Sequence, residues 1–187
     1  MTVPTLTGQR VTLRAVQPED EQARLNLGWH AGIQRSYGRQ VQTREMTPAE
    51  ARDWYERQQA RAADPAGRDW VIEAEGQLAG VTCLHALKET DRKAHFVIGM
   101  FAPSHLGRGL GTEATRLVLA HAFGSMNLHR VDLRVLAFNV DAIASYRKCG
   151  FVEEGRERES CWLEGQWHDD IIMGVLATEF PSLGSVS

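Results

Sequence analysis

Three glycines in alternation are the first residues able to do chemistry. Gly107, Gly109 and Gly111 are separated by Arg108 and Leu110, and Thr112-Glu113-Ala114 follows. Glycine tolerates positive φ and has no Cβ, so such a turn can wrap its backbone closely round a ligand. From Thr112 the pattern becomes helical, with Ala114, Leu117, Val118 and Ala122 on one face and Glu113 favouring the helix start. Successive N–H groups leading into a helix N-terminus suit an anion, most naturally phosphate. Two well-known phosphate loops fit poorly. A Walker loop needs Gly-Lys-Ser/Thr, and Gly111-Thr112 has no lysine before the threonine. A dinucleotide fingerprint starting at Gly107 wants a third glycine where Thr112 stands, and it would open nearer a domain start. A glycine-rich connection without a ligand is the plain alternative.

A strand must deliver the chain to this turn. His95 to Phe101 is short, mostly apolar and rich in β-formers, and Pro103 ends it. Upstream, Arg10 to Val16 alternates as a first strand, and Pro18-Glu19-Asp20 opens a helix carrying Ala23, Leu25, Leu27 and Trp29. Gly32 to Thr43 has little periodicity and reads as a loop holding Tyr37. Thr47-Pro48-Ala49-Glu50 predicts an N-cap, a first-turn proline and an acidic N3, with a helix to about Ala63. Trp70 to Glu75 and Leu78 to Leu87 are strands joined as a hairpin at Gly76-Gln77, and Lys88 to Lys93 is a charged turn. Downstream, Arg130 to Phe138 alternates as a strand that Asn139 ends, and Val140 to Lys148 is a short helix closed by Gly150. Phe151 to Arg158 and Asp170 to Leu176 are the last strands, joined by a loop containing Trp162, Gly165 and Trp167. This order predicts an α/β fold whose mixed, mostly antiparallel sheet has one parallel neighbourhood.

Bulk properties fit a small soluble enzyme. The 187 residues suffice for one compact domain, expected over 1–178, with a flexible polar tail over 179–187. A net charge of −3 gives no electropositive footprint for nucleic acid. Cys83, Cys149 and Cys161 form neither a metal-ligand spacing nor an even disulfide set, so reduced thiols, no metal and a cytoplasmic location are expected. The N-terminus lacks the apolar core of a signal peptide, and no apolar run is long enough to span a bilayer.

Pro103-x-x-x-Gly107-Arg108-Gly109-Leu110-Gly111-Thr112-Glu113-Ala114 closely resembles the pyrophosphate loop of the GNAT superfamily, the acetyl-CoA-dependent N-acyltransferases. Asn139-x-x-Ala142-Ile143-x-x-Tyr146-x-Lys148-x-Gly150-Phe151 resembles the second signature of that superfamily, one strand later. Leu13-Arg14, Glu153-Glu154-Gly155 and Gly165-x-x-His168-Asp169 are similar to the ribosomal-protein-alanine/serine N-acetyltransferase-like branch. The resemblance covers Arg10 to Leu176 and implies the GNAT fold, a sheet of about seven strands with flanking helices and acetyl-CoA at a strand splay.

It also implies roles for particular residues. Backbone N–H groups of Gly107, Arg108, Gly109, Leu110, Gly111 and Thr112 would hold the pyrophosphate, and the Arg108 side chain either reaches a phosphate or stays in solvent. The pantetheine arm would pair with the strand edge at Gly99, Met100 and Phe101, with Asn139 at the splay. Tyr146 matches the position that protonates the departing thiolate, with Ser145 the weaker choice and a packed structural tyrosine the plain alternative. The strand glutamate common in the branch is Phe96 here, which leaves His95, His85, Asp69, Glu73 or a water chain as the base. An acceptor pocket is expected between the Gly32–Thr43 and Trp162–Trp167 segments, lined by Tyr37, Trp162, Trp167 and His168, with His95 as a further candidate.

The implied activity is transfer of an acetyl group from acetyl-CoA to a primary amine by direct attack. A protein N-terminus, an aminoglycoside-like drug, a polyamine or a free amino acid could accept it. An α-amine titrates at roughly 8 and needs less help from a base than a lysine at roughly 10, so the missing glutamate favours an α-amine. The implied partners are acetyl-CoA and that amine, with a homodimer left open and neither nucleic acid nor membrane. A catalytically inactive CoA-binding sensor or scaffold on the same fold is the alternative of another class.

Overall fold

The computed structural model describes residues 3–40 and 42–180, so the tail expected from 179 lies outside the described residues from 181 onward. Eight strands among them form one sheet in the order β1-β2-β3-β4-β5-β6-β8-β7. They are β1 Leu6–Thr7, β2 Val11–Arg14, β3 Arg68–Ala74, β4 Gln77–Lys88, β5 Lys93–Met100, β6 Arg130–Leu136, β7 Val152–Leu163 and β8 Gln166–Leu176. β5 and β6 are the parallel neighbours, and the remaining pairs are antiparallel. The helices are α1 Glu19–Leu27, α2 Ala31–Ser36, α3 Pro48–Ala62, α4 Leu110–Phe123 and α5 Val140–Lys148.

Helices cover both faces, which is why Trp70, Val71 and Ile72 are buried consecutively in β3. On one face α4 presents Leu110, Ala114, Val118, Leu119 and Ala122 to a core that includes Leu13, Phe96, Val131 and Met173. On the other, Trp54 of α3 packs with Val71 and Leu78, and Ala23 and Leu27 of α1 join them. Arg14 ties α1 to the sheet with a bidentate pair to the buried Asp20 at 2.8 and 2.9 Å and a third bond to Glu73 at 2.7 Å.

The Thr47 motif folds as its residue types require. The Thr47 hydroxyl accepts from the Glu50 N–H at 3.3 Å, and the Glu50 carboxylate accepts from the Thr47 N–H at 2.9 Å, a reciprocal capping box. Thr47→Ala should therefore cost about 1 kcal/mol of stability, read as a lower urea midpoint at an unchanged slope.

Four sequence expectations need correction. Residues 32–36 of the expected loop belong to α2, a helix too short to show a period, held by burial of Ile33 and Gln34. Trp29 does not belong to α1: Gly28 ends that helix at φ 62°, and Trp29 bridges to Arg44 instead. The first hairpin turns at Glu75-Gly76 rather than Gly76-Gln77, since Ala74 pairs with Gln77. The expected Trp162–Trp167 loop is the end of a long β7–β8 hairpin that turns at Glu164-Gly165. β7 is an edge strand, and its exposed Glu153, Glu154, Arg156 and Arg158 discourage pairing with another chain.

Candidate active site

β5 and β6 run side by side for a short distance. Lys93, Ala94 and His95 pair with Arg130, Val131 and Asp132, and beyond them the strands separate. The other edge of β5 stays bonded to β4 as far as Gly80 and Met100. An unpaired strand edge of this kind accepts an extended, peptide-like chain through main-chain hydrogen bonds. The Met100 N–H donates to the Tyr37 hydroxyl at 2.9 Å. The Tyr37 ring lies over Gly99, where an added Cβ would stand 3.0 Å from the hydroxyl oxygen, so glycine gives the phenol its access to the strand. Burial raises the Tyr37 phenol above its ordinary value, against the opposing pull of the Met100 N–H.

A single 3-10 turn, Pro103–His105, leads from β5 to the glycine turn. Gly109 stands immediately before α4 at φ 76°, in the left-handed region that disfavours other residues. No side chain caps α4, and Glu113 is the first residue whose N–H bonds back, to Gly109 O at 3.0 Å. The N–H groups of Leu110, Gly111 and Thr112 are thus left unclaimed among the described residues. Unclaimed donors at the positive end of a 14-residue helix fit the pyrophosphate of acetyl-CoA.

Two contacts fix this turn in place. The Glu113 carboxylate accepts from the Arg10 N–H at 2.8 Å, and Arg10 Nη1 donates to Arg108 O at 2.6 Å. Burial alone would raise the Glu113 carboxyl, but N–H groups of Arg10, Val11 and Gln9 outweigh it and hold the group below its ordinary value. The Arg108 guanidinium pairs with Glu75 at the β3–β4 turn.

α5 closes the opposite side of the splay. Asn139 caps it, its side chain accepting from the Ala142 N–H at 3.4 Å. The Thr112 and Ser145 hydroxyls share a hydrogen bond of 2.7 Å, which docks α5 on the start of α4. Tyr146 meets Phe96 and Phe151 edge-on at 6.4 and 5.8 Å between ring centroids. Burial raises the Tyr146 phenol well above its ordinary value, and the neighbouring Tyr37 and Cys149 push the same way. Tyr146 is therefore protonated throughout the physiological range.

A cavity of about 920 Å³ opens on the α1–α3 side of β4 and β5, and Tyr37, Gly99, Met100 and Phe101 border it. Of the four side chains considered as a base, His85 and Asp69 lie on its wall. Burial lowers the His85 imidazole and raises the Asp69 carboxyl, so both move towards neutral forms. Glu73 is engaged by Arg14, and His95 Nδ1 bonds Asp132 at 2.6 Å with its ring 4.8 Å from that of His85. Trp162 and Trp167 are not brought to the cavity. They face each other at the hairpin tip, ring centroids 5.1 Å apart and each about half exposed, and the hairpin reaches the cavity through Cys161 and Asp170. His168 rests on Phe138 at 4.9 Å. Arg24, Trp29 and Gln34 are among the lining residues that the sequence does not single out for a pocket. Nothing in their spacing marks them, because the break at Gly28 is what brings α1 and α2 together.

Among the described residues no group of three or more His, Cys, Asp or Glu could hold a metal ion, and no helix is long and apolar enough to cross a membrane.

The family model for the acetyltransferase (GNAT) domain matches residues 10–152. The spermidine N(1)-acetyltransferase of Escherichia coli (strain K12) is 32% identical over 117 residues, which are 63% of this chain and 62% of that protein. The chain thus matches a little under two thirds of the length of that relative. A Bacillus subtilis (strain 168) protein, YdaF, named as a candidate ribosomal N-acetyltransferase, is 32% identical over 119 residues, 63% of this chain and 64% of its own. Among solved structures, spermidine N-acetyltransferase from Vibrio cholerae in complex with CoA and spermine superposes with a TM-score of 0.75 at 28% identity. That superposition covers 92% of this chain and 98% of the other.

Proposed function

The chain belongs to the GNAT acetyltransferase family, and from that premise we propose that it moves an acetyl group from acetyl-CoA to a primary amine by direct attack. One observation carries the reading: the β5–β6 splay lies between the uncapped start of α4 and the cavity. Bound acetyl-CoA supplies the acetyl group as a thioester. The N–H groups of Leu110, Gly111 and Thr112 bind its phosphates, and the free edge of β5 at Gly99 to Phe101 orients its arm. The amine arrives through the cavity, forms the new N–C bond as the C–S bond breaks, and loses one proton to His85, Asp69 or water. Tyr146 gives its phenolic proton to the departing sulfur.

The acceptor is an amine that keeps an appreciable unprotonated fraction near neutral pH, which favours an α-amine, at a protein N-terminus or on a small molecule. A polyamine is the second reading, supported by the spermidine-acetylating relatives and by Asp64, Asp69 and Asp170 on the cavity wall. Screening α-amines, peptides and polyamines for acetyl-CoA-dependent thiol release tests the proposal. Release with at least one class is expected. Tight CoA binding without release from any of them favours the inactive sensor instead.

Tyr37 supplies a further expectation. Its hydroxyl occupies the Met100 N–H, so an arm pairing with that N–H must first displace it. Tyr37→Phe leaves the N–H open, and acetyl-CoA should bind about 2–10-fold more tightly, the worth of one net hydrogen bond. Calorimetry reads this directly, and weaker binding means that the phenol assists the arm.

A further inference from the structure

Arg24 is 3% exposed and lies on the cavity wall. Its guanidinium sits 4.5 Å from the ring centre of Phe101 and 4.9 Å from that of Trp29. One hydrogen bond holds it, from Nη1 to Gly28 O at 2.7 Å, and among the described residues it forms no ion pair. Arg24 Nε, Trp29 Nε1 and Gln34 Oε1 are all buried without a hydrogen-bond partner, and all three residues line the same cavity. The nearby Glu50 carboxylate acts on Arg24 only through space, being bonded to Arg44 and to the Thr47 N–H. A buried cation without a bonded counter-charge is costly, and two aromatic faces offset only part of that cost. The carboxylates of the wall, Asp64, Asp69 and Asp170, form no ion pair with it. A ligand anion is the missing partner.

We infer that Arg24, Trp29 and Gln34 form a carboxylate subsite, so that the amine accepting the acetyl group also carries a carboxylate close by. Arg24 Nε and Trp29 Nε1 donate to the carboxylate oxygens, and Gln34 Oε1 accepts from the amino group. Phe101, against which the guanidinium rests, follows Met100 directly in the chain, so the subsite adjoins the strand edge where acetyl transfer takes place. A free amino acid presents this chemistry, as does a peptide N-terminus followed by an acidic residue. An all-cationic polyamine does not. The inference rests on the acetyl-transfer reading for the identity of the amine, whereas carboxylate binding stands without turnover.

Matched acceptors test it, each amino acid against the amine left when its carboxylate is removed. Lysine against cadaverine, ornithine against putrescine and phenylalanine against phenethylamine are compared by kcat/KM. Ser-Glu-Ala against Ser-Gln-Ala forms the peptide arm and separates the two sources. The carboxylated member of at least one pair should be preferred about tenfold or more, the worth of one charge-assisted hydrogen bond. Arg24→Met should collapse that ratio towards one. Trp29→Phe, which keeps the ring packing and deletes one donor, should lower it less and serves if Arg24→Met does not fold. Ratios near or below one for every pair in the wild type, or a ratio unchanged in the folded variants, overturn the subsite with acetyl transfer intact. If nothing turns over, calorimetry in the presence of CoA decides. Lysine binding that cadaverine does not share supports the subsite and sinks acetyl transfer, and equal or absent binding overturns the subsite too.

Discussion

Tyr146→Phe should lower kcat by about 10²–10⁴-fold while acetyl-CoA affinity stays near the wild-type value. The substitution deletes one hydroxyl and keeps the ring that meets Phe96 and Phe151, so the core is barely disturbed. The α4 start and the β5 edge are untouched. Burial holds the phenol above its ordinary value, which keeps the donor protonated as pH rises. The wild-type rate should therefore not fall on the alkaline side at the ordinary phenol value near 10. A tyrosine that only packs predicts a modest loss of melting temperature with near-normal turnover. Single-turnover rates belong beside kcat, because release of CoA can hide a slowed chemical step. A single-turnover rate within about threefold of wild type would take Tyr146 out of the mechanism.

Legibility followed the range of the forces involved. Signals carried by consecutive residues could be read in the sequence: the Thr47 capping box rests on local hydrogen bonds and the glycine turn into α4 on local backbone freedom. Asn139, expected as a strand end and a contact at the splay, also caps α5. Both hairpin ends were misplaced, although each carries the same Glu-Gly-Gln tripeptide, at 75–77 and at 164–166. In both, the Glu and Gly have positive φ, with Glu75 at 54° and Glu164 at 52°. This is the two-residue turn whose twist matches the flanking strands, with glutamate where asparagine or aspartate is usual. Trp162 and Trp167, read as pocket aromatics, instead form a cross-strand pair of that hairpin.

Features built from distant segments were hidden. The splay itself follows from the family resemblance, but its occupant in this structure, the Tyr37 hydroxyl on Met100 N–H, joins residues 63 positions apart. Glu113 was legible as a helix-start acid. Its main contacts are nevertheless backbone N–H groups of β2 and the turn before it, 102 and 103 residues away. The Arg24 corner depends on α2, a helix of six residues with no usable period. A lone arginine in an amphipathic helix reads as a solvated side chain until the fold buries it.

Gly109→Val should weaken acetyl-CoA binding by about 10²-fold or more, by calorimetry on folded protein. Valine at φ 76° is strained by its branched Cβ, and relieving that strain means rotating the peptide that starts α4. The first N–H groups of the helix then lose their common aim, and each charge-assisted bond to phosphate is worth about 1.5–3 kcal/mol. Loss of two such bonds accounts for the expected change. A competing cause is the Arg10 side chain, since an added Cβ would stand 3.0 Å from its Nη2 and Arg10 also holds Arg108 O. Arg10→Ala separates the two: it removes that neighbour while leaving the φ of Gly109 free. If Gly109→Val loses affinity and Arg10→Ala keeps most of it, the backbone of the turn is the phosphate site. Equal losses would assign the effect to the Arg10 tether. Unchanged affinity in Gly109→Val would remove the turn from the acetyl-CoA site altogether, and with it the premise that the uncapped start of α4 exists to bind an anion.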